Sequence, residues 1–472
     1  MKRYEALAEE VAESIRRRLL KPGDRLPSVR QASAARGVSP STVFQAYYLL
    51  EARGLVESRP RSGYYVTRAA GAQPPEPEQA SRPDGESRSV DVSDLVFEVM
   101  QASMSREVVP LGSAFPSPLL FPLDRLGRAL AATAPQLDPW STVDDLTPGN
   151  AGLRRQIALR YLLGGMQVDA DAIVVTNGAL EALNLAIGVV TAPGDAVLVE
   201  SPCFYAALQI LQRRNLRAIE VPTHPREGID LDAVEAAIAR HAPRACWVMG
   251  TFQNPLGASM PPERKRALVE LLARHAIPLI EDDVYAELYF GSERPVPAKA
   301  FDREGLVMHC SSFSKCLAPG HRIGWVAGGR FAGRIARHKL TTTLNTNVPS
   351  QMAIAHYLER GGFDRHLRRL RRTLAAQQAE YLAAVGRYFP SGTRVTRPAG
   401  GYFLWLELPA GTDALAIQRQ AAAQGISVAP GPMFSASRGF GHCLRLNCGH
   451  PLDARTQAAL ATLGRLATAH AG

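Results

Sequence analysis

The sequence predicts a multidomain chain in which a small N-terminal winged helix-turn-helix precedes an α/β body with a large and a small subdomain. Three observations lead there. At 472 residues the chain is about three times longer than a typical domain of roughly 150 residues. A stretch with four prolines and no apolar period interrupts it at residues 71–90, as an extended, semi-rigid linker would. Beyond that point, apolar strand-like runs alternate with helix-like segments, the pattern of a mostly parallel sheet.

Composition narrows the class. With 46% hydrophobic and 21% charged residues, the chain is ordinary globular material, which excludes a disordered, collagenous or coiled-coil protein. No run approaches 18 apolar residues, and the start, Met1-Lys2-Arg3-Tyr4-Glu5, is charged. No membrane span or export signal is expected, so the expectation is a cytoplasmic protein. The six cysteines (Cys203, Cys246, Cys310, Cys316, Cys443, Cys448) form no CxxC pair and read as buried thiols, with neither a disulfide framework nor a metal site. The net charge of +10 is uneven, because residues 1–70 hold thirteen Lys/Arg against seven Asp/Glu. A nucleic-acid-binding head has this asymmetry, although basic balance alone also serves solubility.

In the head (residues 1–70), Leu7, Val11, Ile15 and Leu19 recur every four positions, an amphipathic helix that stops before Lys21-Pro22-Gly23-Asp24. A second helix is expected over Ser28 to Ala35, closed by Gly37. The third opens at once: Ser39 is a natural N-cap, Pro40 suits the first helical position, and Val43, Ala46, Tyr47 and Leu50 form one apolar stripe. Leu55 to Ser58 and Tyr64 to Val66 make a hairpin whose tip carries Arg59 and Arg61. Two short helices across a tight turn followed by a hairpin make a winged helix-turn-helix, although three capped helices also make an ordinary bundle. Ser39, Ser41 and Thr42 can address phosphates or base edges, and Arg30, Arg59 and Arg61 can neutralise backbone charge. The order Pro22-Gly23-Asp24-Arg25-Leu26-Pro27-Ser28-Val29-Arg30, Gly37-Val38-Ser39, Thr42-Val43, Ala46-Tyr47, Leu50-Glu51 and Gly54-Leu55-Val56 closely resembles the DNA-binding domain of GntR-family bacterial regulators. It departs at the wing tip, where Arg61-Ser62-Gly63 stands in place of Gly-Ser-Gly.

The body (residues 91–472) offers strand-like runs at Ile173 to Thr176, Val197 to Glu200, Cys246 to Gly250, Pro278 to Glu281, Val307 to Cys310 and Gly324 to Ala327. A long helical segment near Arg369 to Arg387 leads to a smaller C-terminal subdomain, from about residue 370, with another strand pattern at Gly401 to Leu408. Chemistry-bearing residues follow the strands. Thr176-Asn177-Gly178-Ala179 opens a helix, where backbone N–H groups favour a phosphate. Pro202-Cys203-Phe204-Tyr205 provides aromatics able to stack on a planar ring. Asn254-Pro255-Leu256-Gly257 ends another strand, and Glu281-Asp282-Asp283-Val284-Tyr285 ends a fourth with carboxylates, which can keep a pyridinium nitrogen protonated. Ser311-Ser312-Phe313-Ser314-Lys315, with Arg322 beyond, suits an imine-linked cofactor whose phosphate is held nearby.

Together these pieces resemble the class I/II aminotransferases, the fold-type I enzymes that depend on pyridoxal 5'-phosphate. The resemblance implies that Lys315 bonds the cofactor, that Asp282 pairs with the ring nitrogen, and that Asn254 and Tyr285 address the ring oxygen. It further implies that Phe204 stacks on the ring, that Gly178, Ala179, Ser312, Ser314 and Arg322 hold the phosphate, and that Arg445 takes an amino acid's carboxylate. The family usually places a tyrosine shortly before Pro-x-Gly…Leu-Arg, where it reaches the neighbouring subunit's phosphate. Here Ser141 to Leu146 precede Thr147-Pro148-Gly149…Leu153-Arg154 without one, a departure that bears on that contact and on full catalytic competence. The basic stretch Arg365 to Arg372 reads as a solvated helix face, with auxiliary DNA contact as the sharper alternative.

A GntR-like head linked to an aminotransferase-like body resembles the MocR-type bacterial transcriptional regulators. That resemblance implies a homodimer that binds double-stranded operator DNA and senses pyridoxal 5'-phosphate, or its adduct with an amino acid or amine effector. The alternative is an active aminotransferase with an appended head; a catalytically dead scaffold is disfavoured because Lys315 and Asp282 are present.

Overall fold

The computed structural model describes residues 3–17, 19–52, 55–59, 62–66, 74–101, 105–140 and 148–471. Helices α1 (Arg3–Arg16), α2 (Val29–Arg36) and α3 (Pro40–Ala52) are followed by the antiparallel strands β1 (Val56–Arg59) and β2 (Gly63–Val66). The ends of α2 have local causes. Ser28 accepts a hydrogen bond from Gln31 N while the Gln31 side chain accepts from Ser28 N, a capping box, and Gly37 closes the helix in the left-handed region at φ 61°. At the start of α3, Ser39 Oγ accepts from Thr42 N at 3.2 Å, as an N-cap does. Leu7, Ile15, Val43, Ala46, Tyr47 and Leu50 pack into one small core. The winged helix-turn-helix expectation therefore holds over the described residues.

The body is built on a nine-stranded sheet ordered β3-β7-β6-β9-β10-β11-β12-β5, with β8 paired to β7. The strands are β3 (Ser87–Ser89), β5 (Ile173–Thr176), β6 (Ala196–Ser201), β7 (Arg217–His224), β8 (Gly228–Ile229), β9 (Ala245–Val248), β10 (Leu279–Asp282), β11 (Val307–Ser312) and β12 (Gly324–Ala327); β4 (Val109–Pro110) lies elsewhere. From β7 to β11 neighbouring strands run parallel, while β12 runs antiparallel to both its neighbours. Alternate residues feed opposite layers. Val197 and Val199 of β6 join the helices Ala179–Gly188 and Tyr205–Arg213, whereas Leu198 joins Leu231–His241 and Pro262–Arg274. Strands covered on both faces read as continuous apolar runs, which is why most were visible in sequence.

The second sheet, β13-β14-β17-β16, consists of β13 (Arg394–Val395), β14 (Phe403–Glu407), β16 (Ala429–Pro430) and β17 (Cys443–Asn447). It packs with the long helix Phe363–Tyr388 and the helix Ala454–Ala469 in the small subdomain. That subdomain also takes in residues that precede β5 in the chain, because β4 pairs in parallel with β15 (Ile426–Ser427).

The Pro-rich segment expected at 71–90 as an extended linker is, from residue 74 onward, a strap bound to the body. Val395 N donates to Pro75 O at 2.9 Å, Arg397 N donates to Glu76 at 2.9 Å, and Ser87–Ser89 is the edge strand beside β7. Proline removes donors but not acceptors, so a proline-rich chain still binds through its carbonyls. All six cysteines are buried and free. Among the described residues no helix is long and apolar enough to cross a membrane, and no cluster of ligand-type side chains could hold a metal.

Candidate functional site

Asp282 and Lys315 stand at and just beyond the carboxyl ends of the parallel strands β10 and β11, where an open α/β sheet places its ligand site. Lys315 follows β11 directly. Its Nζ donates to Ala114 O at 2.8 Å and sits 3.5 Å from the centre of the Phe115 ring. Burial, and then the charge of Arg445, lowers the Lys315 amine to about 7, so a large neutral fraction exists at neutral pH.

Asp282 closes β10 with 1% of its surface exposed. Burial, and then the carboxylate of Asp283, pushes it up to about 7, with Lys315 pulling the other way. Its Oδ1 has no hydrogen-bond partner. Tyr285, three residues on, is buried with its ring edge-on to Tyr402 and Phe403, 5.6 Å from each. Behind this segment runs a buried chain. His309 Nε2 lies 2.9 Å from Asp283 Oδ2, Tyr161 Oη lies 2.7 Å from His309 Nδ1, and Trp325 Nε1 donates to Tyr161 Oη at 2.8 Å. These bonds fix the β10 end from the back, so Asp282 is held by a rigid wall.

Arg445 of β17 is fully buried. It donates to Asn254 Oδ1 at 3.0 Å and to the carbonyls of Gly112 and Ser113, and it stacks 4.3 Å from the Phe403 ring centre. Its Nε and the Asn254 Nδ2 remain without partners. Both are buried donors, whose unsatisfied state is costly unless a ligand completes them.

Opposite, Gly178 caps the helix Ala179–Gly188 at φ 82°. A Cβ there would collide with the Arg322 guanidinium, so glycine is required for both conformation and close approach. Arg322 adopts φ 53°, uncommon for a residue with a side chain. Its Nη1 donates to Ser314 Oγ at 3.2 Å, and Ser312 Oγ accepts from Ser314 N at 3.3 Å. A helix N-terminus, two hydroxyls and a guanidinium are therefore linked by direct contacts, a set of donors suited to an anion. Phe204 caps the helix Tyr205–Arg213, its ring centre 4.9 Å from that of Tyr205.

In the head, Arg30, Ser39, Ser41 and Arg59 are exposed and Thr42 is half-buried. Ser39 Oγ lies 2.8 Å from both Ser41 Oγ and Thr42 Oγ1, so the three hydroxyls already form one network. Arg59 pairs with Glu57 at 2.7 Å and lies 4.3 Å above Tyr65, which offsets the free cation read from sequence. Arg61 and the tyrosine-free segment at 141–147 lie outside the described residues. Sequence reasoning missed Phe44 and Tyr48, whose exposure of 55% and 46% on the polar side of α3 is legible as the i, i+3, i+7 continuation from Ser41. It also missed Ala114 and Phe115, which carry no motif and act through a carbonyl and a ring.

Residues 146–461 match the family aminotransferase class I and II, and residues 3–66 match bacterial regulatory proteins of the gntR family. The HTH-type transcriptional regulator YdcR of Escherichia coli (strain K12) is 48% identical over 466 residues, which covers 99% of each chain. Among solved structures, the multiple substrate aminotransferase of Thermococcus profundus is similar with a TM-score of 0.72 at 28% identity, over 79% of this chain and 94% of that one. The α-aminoadipate aminotransferase LysN of Thermus thermophilus, in complex with N-(5'-phosphopyridoxyl)-L-leucine, gives 0.71 at 29% identity, over 80% and 99%.

Proposed function

Because the chain belongs to the class I and II aminotransferase family, joined to a GntR-family head in the MocR arrangement, we propose that it is a transcriptional regulator whose body senses pyridoxal 5'-phosphate or its adduct with an amino compound. The observation that carries this reading is the set of unsatisfied buried groups around Lys315: Asp282 Oδ1, Asn254 Nδ2 and Arg445 Nε. Each fits a part of that ligand. Asp282 would hold a proton on the ring nitrogen, which relieves the cost of burying its charge. Asn254 and Tyr285 would address the ring oxygen, and Phe204 would stack on the ring. Gly178, Ala179, Ser312, Ser314 and Arg322 would hold the phosphate.

When bound, the cofactor supplies an electron sink for bonds at an amino compound's α-carbon. The protein's own part is positioning. Arg445 would take the carboxylate in bidentate fashion, exchanging its bonds to Gly112 O and Ser113 O for the ligand's. Lys315, with its lowered pKa, would bond the cofactor through a neutral amine and, once an incoming amino group has displaced it from that bond, would accept or return a proton at Nζ. Ser39, Ser41 and Thr42 would read the operator while Arg30 anchors phosphate, in a homodimer that pairs two half-sites. A ligand shifts the DNA complex only by binding two arrangements of heads and bodies unequally.

The second reading, an active aminotransferase with an appended head, draws on the same convergence of Lys315, Asp282, Asn254, Tyr285, Arg322 and Arg445. One experiment separates them. Operator duplexes are recovered by the full chain with and without pyridoxal 5'-phosphate and a panel of amines, and transamination is followed under the same conditions. The regulator reading expects altered DNA binding with slow or no turnover. Turnover of roughly 1 to 1000 per second, with DNA binding indifferent to every ligand, would overturn it in favour of the enzyme.

A further inference from the structure

We infer that the outward face of the long helix Phe363–Tyr388 is a second DNA-contacting surface, which grips the phosphate backbone beside the sequence read by α3. This rests on the reading of the head as the DNA-binding unit. The helix sorts its arginines in two directions. Arg371 turns inward, donating to Glu287 O at 2.6 Å and to Glu287 Oε2 at 3.1 Å and stacking 3.6 Å from the Tyr289 ring centre. Arg365, Arg368, Arg369 and Arg372 are exposed. Their spacing places them along one side, spanning about 10 Å at roughly 1.5 Å per residue.

Among the described residues none of the four forms an ion pair, and Asp364 beside them is engaged by Arg160 at 3.3 Å. Arg125 and Arg128, from the helix Leu123–Thr133, line the adjoining groove with Arg365, Arg369 and Arg372. Glu380 and Asp453 close the far end. Guanidinium groups in a row, outnumbering the carboxylates Asp124, Glu380 and Asp453 that line the same surface, suit a duplex, which presents a negative charge about every 1.7 Å of its axis, and each can hold a phosphate with two bonds. A protein partner fits the helix itself less well, since such interfaces centre on apolar anchors and this helix exposes no large apolar residue; the exposed Leu119 and Leu123 of the adjoining groove belong to the facing segment.

The surface also lies in the right place. Tyr48 and Glu51 of α3 line a cavity of about 880 Å³ together with Arg368, Arg371 and Arg372, so the recognition helix abuts the basic helix at its C-terminal end. Ser41 and Tyr48 are about 10 Å apart along α3 at roughly 1.5 Å per residue. A duplex read at Ser39 to Thr42 therefore passes the arginines within one helical turn, about 34 Å.

The test uses the full-length protein, an operator duplex recovered by selection, and the same duplex trimmed to its half-sites. Two variants are compared with wild type: one with glutamine and one with lysine at 365, 368, 369 and 372. The glutamine variant should lower the slope of log affinity against log salt by about 2 to 4, near 0.9 per lost phosphate contact, while the lysine variant keeps it. Trimming the flanks should weaken wild type and leave the glutamine variant unchanged. Single Arg365→Gln and Arg369→Gln, each lowering the slope by about 0.9, serve if the quadruple variant does not fold. Slopes and flank dependence equal to wild type would overturn the inference, as would equal loss in both quadruple variants. Failure of wild type to bind any duplex would instead overturn the head reading, and this surface with it.

Discussion

The head and the body present their chemistry in opposite ways. In the head, Arg30, Ser39, Ser41 and Arg59 stand in solvent on a small core, whereas Asp282, Asn254, Tyr285 and Arg445 are each at most 1% exposed. Exposed groups act through number and spacing, so their effects are individually small and sensitive to salt. Buried groups are few and mutually dependent, and losing one removes a function. The two regions should therefore fail differently.

The largest contrast is expected from Lys315→Ala. It should abolish the borohydride-reducible link to pyridoxal 5'-phosphate while leaving the salt slope of DNA binding unchanged; a reduced adduct of undiminished yield, located by mass spectrometry, would show that another lysine is used. Next is Leu50→Ala, which empties part of the head's core and should cost about 2 to 5 kcal/mol. Calorimetry should then show the head melting early with the body's transition in place, and a common shift of both would mean that head and body fold as one unit.

A third effect concerns pH. Because Lys315 is lowered to about 7, its neutral, nucleophilic form is lost as pH falls through that value. Cofactor uptake by the apo protein should slow about tenfold per unit below 7 and level off above 8; a rate still rising at pH 10 would mean an ordinary lysine. The smallest effect is that of Arg30→Ala, which should reduce the salt slope of operator binding by about 1, read by anisotropy at several salt concentrations.

What was legible in sequence follows the same division. Head boundaries could be read because caps are local: Ser28 and Gly37 terminate α2 whatever surrounds them. The body's inner strands were readable as apolar runs, but β7 escaped because Arg217, Glu220 and His224 break its pattern. Lys315 and Asp282 were singled out by motifs near strand ends, and Arg445, in the middle of β17, by the family resemblance alone. Ala114 was not, since a backbone carbonyl has no residue type to betray it. That the Pro-rich segment is fastened along the body from residue 74 was not legible for a related reason: composition names residues but not their partners, and this segment is held through Pro75 O, the Glu76, Ser81 and Glu86 side chains and the β3 ladder.

That strap sets a leash. Because the chain is fastened to the body again by Pro74, whose carbonyl receives Arg397 at 2.7 Å, the head hangs from a fixed post and not from the start of the large sheet. Between Val66 and Pro74 the covalent reach is at most about 29 Å, near 3.6 Å per step. In the proposed homodimer the two heads would thus have a bounded wingspan, and the distance between the half-sites they could pair would be set by where the posts stand.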